Sequence, residues 1–570
     1  MDGAGATRGA TVALAAIGLA ALLCVLLSLD RGLELADESS YIYLLHHPDV
    51  VMQFLDHRLW SALRGSVPFY RALAMVLTTI SACFVAAGAI RALRVERSEA
   101  LFVQAATVVG ALGYFSVIRP TMNYGTTGLV FGNLFVGLLL HDLARPAERR
   151  VGLVLTVLLG VSLALLGLGR FTAVPVYLLI LLGYAVLRDG PAHDRLMLFA
   201  GALLTSGIAV MGLRLAGFRI DEMVAFGSKL TGVSHRPITF VPRDLALIAL
   251  TGGAGVGGAV AARLGARIGV PRSSAIGLFV AAVLLAAIAD QRAVILAPAV
   301  GASPFVTNVA LYGTTYAFYV VAALFVALLA LDDLDAGRAG WVRHARTWGV
   351  LILLALACGC PFFGTNTGVL ARSGLNAGPL FAGIALAALA CSERQLVSRS
   401  VALVSVIGVA ALGTLFVFLN SIWSAYGVNG GWVRQTERLQ TPVAVAGLRV
   451  SPGTAALARD LRAGLTRLAF DPARDRLLVG YEKPGLALLA GGETAGLPFV
   501  GDDLRASAVL CDEITRSVTA ARPPRLYGLN IDYRPELSGC LAANGIDLVR
   551  APRHRVSPLV TITVVTPIPR

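Results

Sequence analysis

The chain has 570 residues, of which 56% are hydrophobic and only 14% are charged, and its formal net charge is +14. A soluble protein of this length would need far more charge to cover its surface, so the composition excludes a soluble globular protein. The positive charge is almost wholly arginine, with lysine only at Lys229 and Lys483, and it gives no reason to expect nucleic-acid binding.

Apolar runs follow one another from the N-terminus to about residue 420. Because a membrane-spanning helix needs about 20 mostly apolar residues, we predict a polytopic α-helical membrane protein with about 13 transmembrane helices. The first run has no convincing cleavage site after it and is predicted to be retained as a span. The predicted spans lie at residues 10–29, 68–90, 101–118, 126–144, 151–169, 172–187, 196–214, 244–262, 274–291, 306–331, 347–361, 379–391 and 401–420.

The loops between these spans alternate in charge. Every second loop is short and contains arginine, and the N-terminal Arg8 lies on the same side. Short loops with arginine are typical of the cytoplasmic side, so the opposite side is predicted to be extracytoplasmic. That side receives two long loops at residues 30–67 and 215–243, the shorter segments 119–127, 292–303 and 361–378, the turn at Arg170, and the chain after residue 420.

The first long loop is predicted to contain an amphipathic helix with Asp49 as its N-cap. Apolar residues such as Leu55 and Leu59 would share one face, and Asp56 and His57 would share the polar face. An amphipathic helix beside a span is predicted to lie in the plane of the lipid headgroups. The alternative is a simple surface helix that bridges two spans.

Residues 421–570 are less apolar and are predicted to form a small α/β domain on the extracytoplasmic side, after a transmembrane domain at residues 1–420. Ser451 followed by Pro452 is typical of the start of a helix. Cys511 and Cys540 are the only cysteines of this domain, and the sequence leaves open a disulfide between them or two buried thiols. Helices are predicted at residues 453–466, 503–520 and 535–543, and strands at residues 476–480, 525–529, 546–549 and 559–565.

Two adjacent carboxylates follow the first predicted span, within Asp37-Glu38-Ser39-Ser40-Tyr41. Charged side chains at such a place are costly unless they are solvated, paired or used in chemistry. Asp37 is therefore a candidate catalytic base. The alternative is that Asp37 caps the short helix that contains Tyr41.

A single span followed by an outer loop that opens with Asp-Glu-x-x-Tyr resembles the GT-C class of membrane glycosyltransferases. The protein O-mannosyltransferases and the lipid A aminoarabinose transferases of this class carry a similar motif at that place. The likeness extends to the number of spans and to a C-terminal extracytoplasmic domain, so it covers the architecture of nearly the whole chain.

The resemblance implies an inverting glycosyltransferase of the bacterial plasma (inner) membrane that serves the cell envelope. A sugar would pass from a polyprenyl-phosphate-linked donor to a glycan, lipid or protein acceptor on the extracytoplasmic face. Asp37 would be the general base for the acceptor hydroxyl, and Glu38 would orient Asp37 or the acceptor. A carboxylate suits this task because a hydroxyl is a poor nucleophile until a positioned base takes its proton.

A departing lipid phosphate needs cations close to the outer leaflet. Lys229, the only lysine of the membrane portion, is either a phosphate ligand or a headgroup anchor. Tyr41, Asn123 and Tyr124 are candidate contacts for the sugar or the acceptor. The basic candidates for substrate binding are His57, Arg58, Arg64, Arg119, Arg170, Lys229, His235, Arg236 and Arg372.

The sequence gives no firm indication of a cofactor. The loop at residues 119–127 contains no carboxylate, whereas several relatives carry an acidic residue there. Hard divalent cations need several oxygen ligands together, so this loop argues against a bound divalent metal ion. The histidines His46, His47 and His57 are more simply interpreted as solvated side chains than as metal ligands.

The run Gly252-Gly253-Ala254-Gly255-Val256-Gly257-Gly258 lies inside the eighth predicted span and has no strand before it. It therefore predicts close packing of helices and not a nucleotide-binding loop. A nucleotide-sugar donor site within the chain is not expected.

Two other functions are compatible with the sequence. One is a transporter or flippase of a lipid-linked substrate, and the other is a ligase that moves a whole glycan from a polyprenyl diphosphate. Transporters usually show repeated halves and ionisable residues near the middle of the membrane. No internal repeat is evident and Asp290 lies at the end of a predicted span, so the enzyme is the favoured interpretation over the transporter.

Overall fold

The computed structural model describes residues 3–35, 37–50, 55–113, 121–145, 152–188, 191–225, 237–296, 304–362, 376–422, 432–480, 483–496 and 504–567. Within these residues the chain is mostly helical, and a small domain with a sheet follows the long helical part. The prediction of an α-helical membrane-type chain with a small C-terminal α/β domain is confirmed at this level.

A helix overlaps each of the predicted spans, and short helices lie in the loops between them. Among the described residues, nine stretches of helix are long and apolar enough to cross a membrane. One of them, Leu153–Val186, spans two consecutive helices, Leu153–Arg170 and Val174–Leu187. Thirteen separate crossings stay a prediction. In chain order the helices of this part are α1 (Gly3–Ser28), α2 (Asp37–His46), α3 (Asp56–Ser61), α4 (Val67–Leu93), α5 (Arg97–Leu112), α6 (Tyr124–Leu143), α7 (Leu153–Arg170), α8 (Val174–Leu187), α9 (Ala192–Leu215), α10 (Pro237–Arg267), α11 (Arg272–Leu296), α12 (Pro304–Asp335), α13 (Arg338–Arg343), α14 (Ala345–Gly359), α15 (Ala377–Glu393) and α16 (Arg399–Ile422).

The arginine-containing loops meet at one end of the helical bundle, where ion pairs join helices that are far apart in the sequence. The alternation of the loops between the two sides of the membrane, and the side that this end faces, stay predictions. We call the opposite end, where the described parts of residues 30–67 and residues 121–127 lie, the loop end. The ion pairs are Arg188 with Asp142, Arg263 with Asp335, Arg394 with Asp333, and Arg399 with Glu99.

Two glycines of the glycine-rich run allow α10 to pack closely against its neighbours. A Cβ atom at Gly255 would lie 2.6 Å from the Cβ of Ala323 and 2.7 Å from the backbone nitrogen of Leu324, both in α12. A Cβ atom at Gly258 would lie 2.8 Å from the ring of Phe279 in α11. The prediction of close helix packing is confirmed at these two positions.

Two buried asparagines cross-link helices in the middle of the bundle. The side-chain amides of Asn133 and Asn376 donate to each other at 3.3 and 3.0 Å. Asn133 also lies 3.2 Å from the hydroxyl of Ser81, and Asn376 donates to the carbonyl of Ala357 at 2.9 Å. These bonds join α4, α6, α14 and the start of α15. They also pair both side-chain amides, since an unpaired amide in an apolar interior is costly.

The C-terminal domain contains a four-stranded sheet, whose strands in spatial order are β3 (Arg476–Val479), β4 (Leu526–Leu529), β6 (Val560–Val565) and β5 (Arg553–Ser557). Strands β3 and β4 are parallel, whereas β6 is antiparallel to both β4 and β5. A small antiparallel pair, β1 (Glu437–Arg438) with β2 (Arg449–Val450), precedes this sheet in the chain. The elements are β1 (Glu437–Arg438), β2 (Arg449–Val450), α17 (Pro452–Arg467), β3 (Arg476–Val479), α18 (Gly485–Ala490), α19 (Leu504–Ala521), β4 (Leu526–Leu529), α20 (Pro535–Ala543), β5 (Arg553–Ser557) and β6 (Val560–Val565).

The three predicted helices of this domain are confirmed, but one predicted strand is wrong. Residues 546–549 are irregular, and the edge strand is β5 instead. Ile546 and Leu548 are buried in a core with Leu537 and Leu541 of α20, and this burial explains the apolar pattern of the segment. Ser451 caps α17 as predicted, since its hydroxyl oxygen accepts the N–H of Thr454 at 3.2 Å.

A disulfide joins Cys511 of α19 to Cys540 of α20. Of the two alternatives that the sequence leaves open, the structure contains the bonded one. The bond joins two residues that are 29 positions apart in the sequence, on one face of the sheet. A crosslink of this kind stabilises the fold mainly because it restricts the unfolded chain.

The other face of the sheet shares a hydrophobic core with the first long loop. Leu33, Ile42 and Tyr43 from the loop and Val67 of α4 are buried together with apolar residues of β3, β4, β6, α17 and α18. The domain therefore packs directly on the segment that leads into α2 and on α2 itself.

The predicted amphipathic helix differs from the observed structure. Asp49 lies in a turn, residues 51–54 lie outside the described residues, and α3 begins only at Asp56. Its predicted polar face is not solvated, because Asp56 and His57 are only 4% and 3% exposed. Leu55 is buried against Leu168 at the end of α7, so the loop folds back onto the bundle.

Candidate functional site

Part of the predicted site lies outside the described residues. Asp37 is the first residue of α2, but its side chain is not part of the described structure. The roles predicted for that side chain, catalytic base or helix cap, stay predictions. The same holds for the basic residues Arg119, Lys229, His235, Arg236 and Arg372, which lie outside the described residues.

Glu38 forms a buried, bidentate ion pair with Arg71 of α4. Nε of Arg71 donates to Oε1 of Glu38 at 2.8 Å, and Nη2 donates to Oε2 at 2.8 Å. The two side chains are only 1% and 2% exposed. The hydroxyl of Thr121 also donates to Oε1 at 2.8 Å. Because an unpaired charge at this depth would be costly, the pair fixes the start of α2 against α4.

Arg71 also binds the chain between α1 and α2. Its guanidinium donates to the carbonyls of Leu29, Arg31 and Gly32 at 2.7, 3.2 and 2.8 Å. Carbonyls just beyond a helix end have no partner within the helix, so one arginine satisfies several of them. Arg71 is absent from the predicted site, although a charged residue near the start of an apolar span is a signal that a partner is needed.

Glu34 caps the start of α2. Its Oε2 accepts the N–H of Glu38 at 2.5 Å, and its own N–H donates to Oε2 of Glu38 at 3.3 Å. The hydroxyl of Ser39 donates to the carbonyl of Glu34. The backbone of the first turn of α2 is therefore held by hydrogen bonds on both sides of Asp37.

Tyr41, Tyr124 and Arg170 are three predicted site residues that the structure brings together. The rings of Tyr41 and Tyr124 meet edge to face with their centroids 5.7 Å apart. The guanidinium of Arg170 lies 5.2 Å from the centroid of Tyr124 and donates to the carbonyl of Pro361 at 2.5 Å. Arg170 is 2% exposed, so a positive charge is buried at the loop end.

Asn123 caps α6, which explains why the helix begins there. Its Oδ1 accepts the N–H groups of Gly125 and Thr126 at 2.7 and 3.0 Å, and its Nδ2 donates to the carbonyl of Thr121 at 2.9 Å. Both ends of the amide are thus engaged in the turn before α6. Its predicted contact with a sugar stays a prediction.

Asp56 is a buried carboxylic acid that is absent from the predicted site residues. Its Oδ2 lies 3.4 Å from the hydroxyl of Thr127, and that hydroxyl oxygen accepts the indole N–H of Trp60 at 2.7 Å. Burial raises the pKa of Asp56 to about 7, although hydrogen bonds from its own N–H, from Thr127 and from the N–H of His57 oppose the shift. Among the described residues, no basic side chain forms an ion pair with it. A buried acid of this kind is a frequent feature of functional sites.

His57 and Arg58 have local partners. Nε2 of His57 lies 3.0 Å from the carbonyl of Val50, and the side chain is buried, contrary to the prediction of a solvated histidine. Arg58 donates to the carbonyl of Gly217 and lies 5.4 Å from the ring centroid of Phe218. Arg58 thus joins the first long loop to the start of the second.

The start of α6 contacts side chains of α2, α3 and α7. Residues 121–127 therefore organise the loop end of the bundle, and we call the side chains that meet there, together with Arg71, the α6 cluster. Its contacts are Thr121 with Glu38, Tyr124 with Tyr41 and Arg170, and Thr127 with Asp56 and Trp60.

The described part of the chain shows no metal centre. No three His, Cys, Asp or Glu side chains within it lie close enough to hold a metal ion together. The chemistry of the α6 cluster is mainly that of carboxyl groups, two guanidiniums and hydroxyls.

Comparison with known proteins gives no match. No family model, no curated protein and no solved structure matches the chain. The resemblance to the GT-C glycosyltransferases therefore depends on the motif at Asp37 and on the predicted architecture alone.

Proposed function

We propose that the chain is a membrane glycosyltransferase that moves a sugar from a polyprenyl-phosphate-linked donor to an acceptor on the extracytoplasmic face, with Asp37 as the general base. The α6 cluster carries this proposal. Side chains from segments far apart in the sequence meet there, close to the start of α2, where Asp37 lies. Polar and charged groups gathered at one end of an apolar bundle are a frequent mark of a functional site.

The cluster offers groups that suit this reaction. The acceptor oxygen attacks the anomeric carbon, the bond from that carbon to the phosphate oxygen breaks, and Asp37 takes the hydroxyl proton. Arg170 adds a positive charge that favours a departing phosphate. Asp56 adds a second carboxyl group, which burial keeps partly protonated near neutral pH.

The disulfide supports the proposed location. Disulfides form and persist in oxidising compartments and are rare in the bacterial cytoplasm. Cys511 and Cys540 belong to the domain that shares a core with Ile42 and Tyr43 of α2. The start of α2 and the disulfide therefore belong on the same side of the membrane, which favours the extracytoplasmic side.

The test is the substitution Asp37→Asn compared with Asp49→Asn. Both remove one carboxylate from the first long loop, but Asp49 is exposed in a turn. Because a general base contributes about 100-fold or more, we expect Asp37→Asn to reduce transfer by at least that factor and Asp49→Asn to leave it unchanged. The readout is mass spectrometry of envelope glycans in a deletion strain that expresses each variant at the same level.

Two results would overturn the proposal. Full transfer by Asp37→Asn would remove Asp37 as the base. Movement of a lipid-linked substrate across vesicle membranes without any covalent product would instead favour the flippase.

A further inference from the structure

The C-terminal domain binds the chain immediately before α2 through backbone hydrogen bonds. The N–H of Gly485 donates to the carbonyl of Leu35 at 2.8 Å. The N–H of Arg449 donates to the carbonyl of Asp30 at 2.7 Å, and the N–H of Gly32 donates to the carbonyl of Arg449 at 2.6 Å. Two separate parts of the domain therefore hold residues 30–35, the segment that determines where α2 begins.

The domain also contacts α2 itself through Tyr43. This side chain is 1% exposed and stacks on His47 with ring centroids 4.3 Å apart. The backbone N–H of Thr494 donates to its hydroxyl oxygen at 2.7 Å, and the hydroxyl of Thr494 lies 3.0 Å from the same atom. Tyr43 lies on the helix that begins at Asp37, so this contact fixes the helix further along its length.

Gly485 is the closest point of this contact to the carboxylate pair. A Cβ atom at Gly485 would lie 2.6 Å from Cδ2 of Leu35, 2.8 Å from Cα of Leu35 and 2.9 Å from Oγ of Ser39. Leu35 and Ser39 lie on either side of Asp37 and Glu38 in the sequence. Only a residue without a side chain can occupy this position while the domain keeps its place, because one of the crowded atoms belongs to the backbone.

From these contacts we propose that the C-terminal domain is a positioning element for the start of α2, and thus for Asp37 and Glu38, rather than a separate module that binds glycan or acceptor. Gly485 and Tyr43 are the positioning residues. The domain acts through α2, which it contacts through Tyr43 and the chain before Asp37, while Arg71 of α4 binds the same helix through Glu38. The effect on activity rests on the proposed function, but the effect on α2 does not.

The first test is hydrogen–deuterium exchange of the full-length protein in lipid nanodiscs, with Gly485→Ala compared with Gly539→Ala. Gly539 lies in α20 of the same domain, and a Cβ atom there would meet nothing within 4 Å. We expect Gly485→Ala to speed exchange in residues 37–46 on the order of tenfold, because the helix loses its support, and Gly539→Ala to leave it unchanged.

Exchange elsewhere separates positioning from general instability. Loss of stability throughout the domain would speed exchange in β3, β4 and β6 as well, whereas a positioning effect is confined to residues 30–46.

Tyr43→Phe is a second variant, which removes the hydroxyl that Thr494 contacts. Its control is Tyr533→Phe, which removes a hydroxyl that donates to the carbonyl of Val479 within the domain.

The second test separates binding from turnover. Binding of polyprenyl phosphate to the purified protein is measured for wild type and Gly485→Ala, and glycan product is measured in the complemented deletion strain. We expect binding within twofold of wild type and a product level reduced on the order of tenfold or more, because α2 carries the base and not the phosphate cations.

The outcomes distinguish the two proposals. Unchanged exchange in residues 37–46 of Gly485→Ala would overturn the positioning role. If Asp37→Asn is inactive, faster exchange in residues 37–46 of Gly485→Ala together with a wild-type product level would also overturn the positioning role. Faster exchange in Gly485→Ala together with full activity of Asp37→Asn would leave α2 dependent on the domain and overturn the proposed base.

Discussion

At the level of single residues, the ion pair between Glu38 and Arg71 joins α2 to the transmembrane part. Both side chains are almost fully buried, so removing one partner leaves an uncompensated charge. We expect Arg71→Met to lower the free energy of unfolding by about 3 to 5 kcal/mol. The measurement is thermal or denaturant unfolding in detergent.

A surface pair is the control for this substitution. Arg516 and Glu513 form an ion pair in α19 with 63% and 23% exposed side chains. We expect Arg516→Met to cost about 1 kcal/mol or less, because water screens the charges. The double variant Glu38→Gln/Arg71→Met should recover much of the loss, and an Arg71→Met variant as stable as Arg516→Met would contradict the role of the pair.

The buried carboxyl group of Asp56 predicts that the free energy of unfolding falls as the pH rises. Burial raises its pKa from 3.8 to about 7, so between these values the folded state binds more protons than the unfolded state. Stability then falls as the pH rises, and the loss is complete above the folded-state pKa. We expect wild type to lose roughly 3 kcal/mol relative to Asp56→Asn between pH 5 and pH 8.

The comparison needs unfolding curves of both proteins at the two pH values in one detergent. Asp49→Asn is the control, because Asp49 is exposed and its removal should leave the pH dependence of wild type intact. A constant stability difference between wild type and Asp56→Asn across this range would show that Asp56 ionises normally in the folded protein.

At the level of elements, the helices could be predicted well and the loops could not. Long apolar runs predict helices because each must satisfy its backbone within the membrane. The start of α3 could not be predicted, since burial of Leu55 and Asp56 depends on contacts with Leu168 and Thr127 of distant helices. For the same reason, apolar alternation around Ile546 indicates burial but does not distinguish a strand from an irregular segment.

The glycine-rich part of α10 gives a prediction at this scale. Gly255→Ala would place a Cβ atom 2.6 Å from the Cβ of Ala323 and 2.7 Å from the backbone of α12, so the helices must separate. We expect a loss of about 1 to 3 kcal/mol in unfolding free energy. Gly257→Ala is the matched control, because a Cβ atom there would meet nothing within 4 Å, and it should be neutral or slightly stabilising.

An equal response of the two variants would contradict close packing as the reason for the glycines. The same comparison in lipid and in detergent would show whether the bilayer changes the contact. Gly255 and Gly257 belong to one helix and one sequence run, so differences in expression or insertion should be small.

At the level of the whole molecule, the C-terminal domain and the helical bundle meet at the loop end. The sequence indicates a separate domain after residue 420, and the shared core with Leu33, Ile42 and Tyr43 could not be predicted, because it joins segments about 400 residues apart. The α6 cluster shows the same limit. Tyr41, Tyr124 and Arg170 are recognisable from the sequence as polar residues of the predicted outer segments, but their mutual contact depends on how the bundle packs.

The side of the membrane on which this assembly lies can be tested with the disulfide. In intact spheroplasts, a membrane-impermeant maleimide should not label Cys511 or Cys540 until a membrane-impermeant phosphine has reduced the bond from outside. The variant Arg338→Cys introduces a thiol at an exposed position of α13, at the arginine-rich end, and should be labelled only after permeabilisation. Labelling of Cys511 and Cys540 only in permeabilised cells would place the domain in the cytoplasm. Because α2 shares a core with that domain, Asp37 would then lie on the opposite side of the membrane from a donor in the outer leaflet.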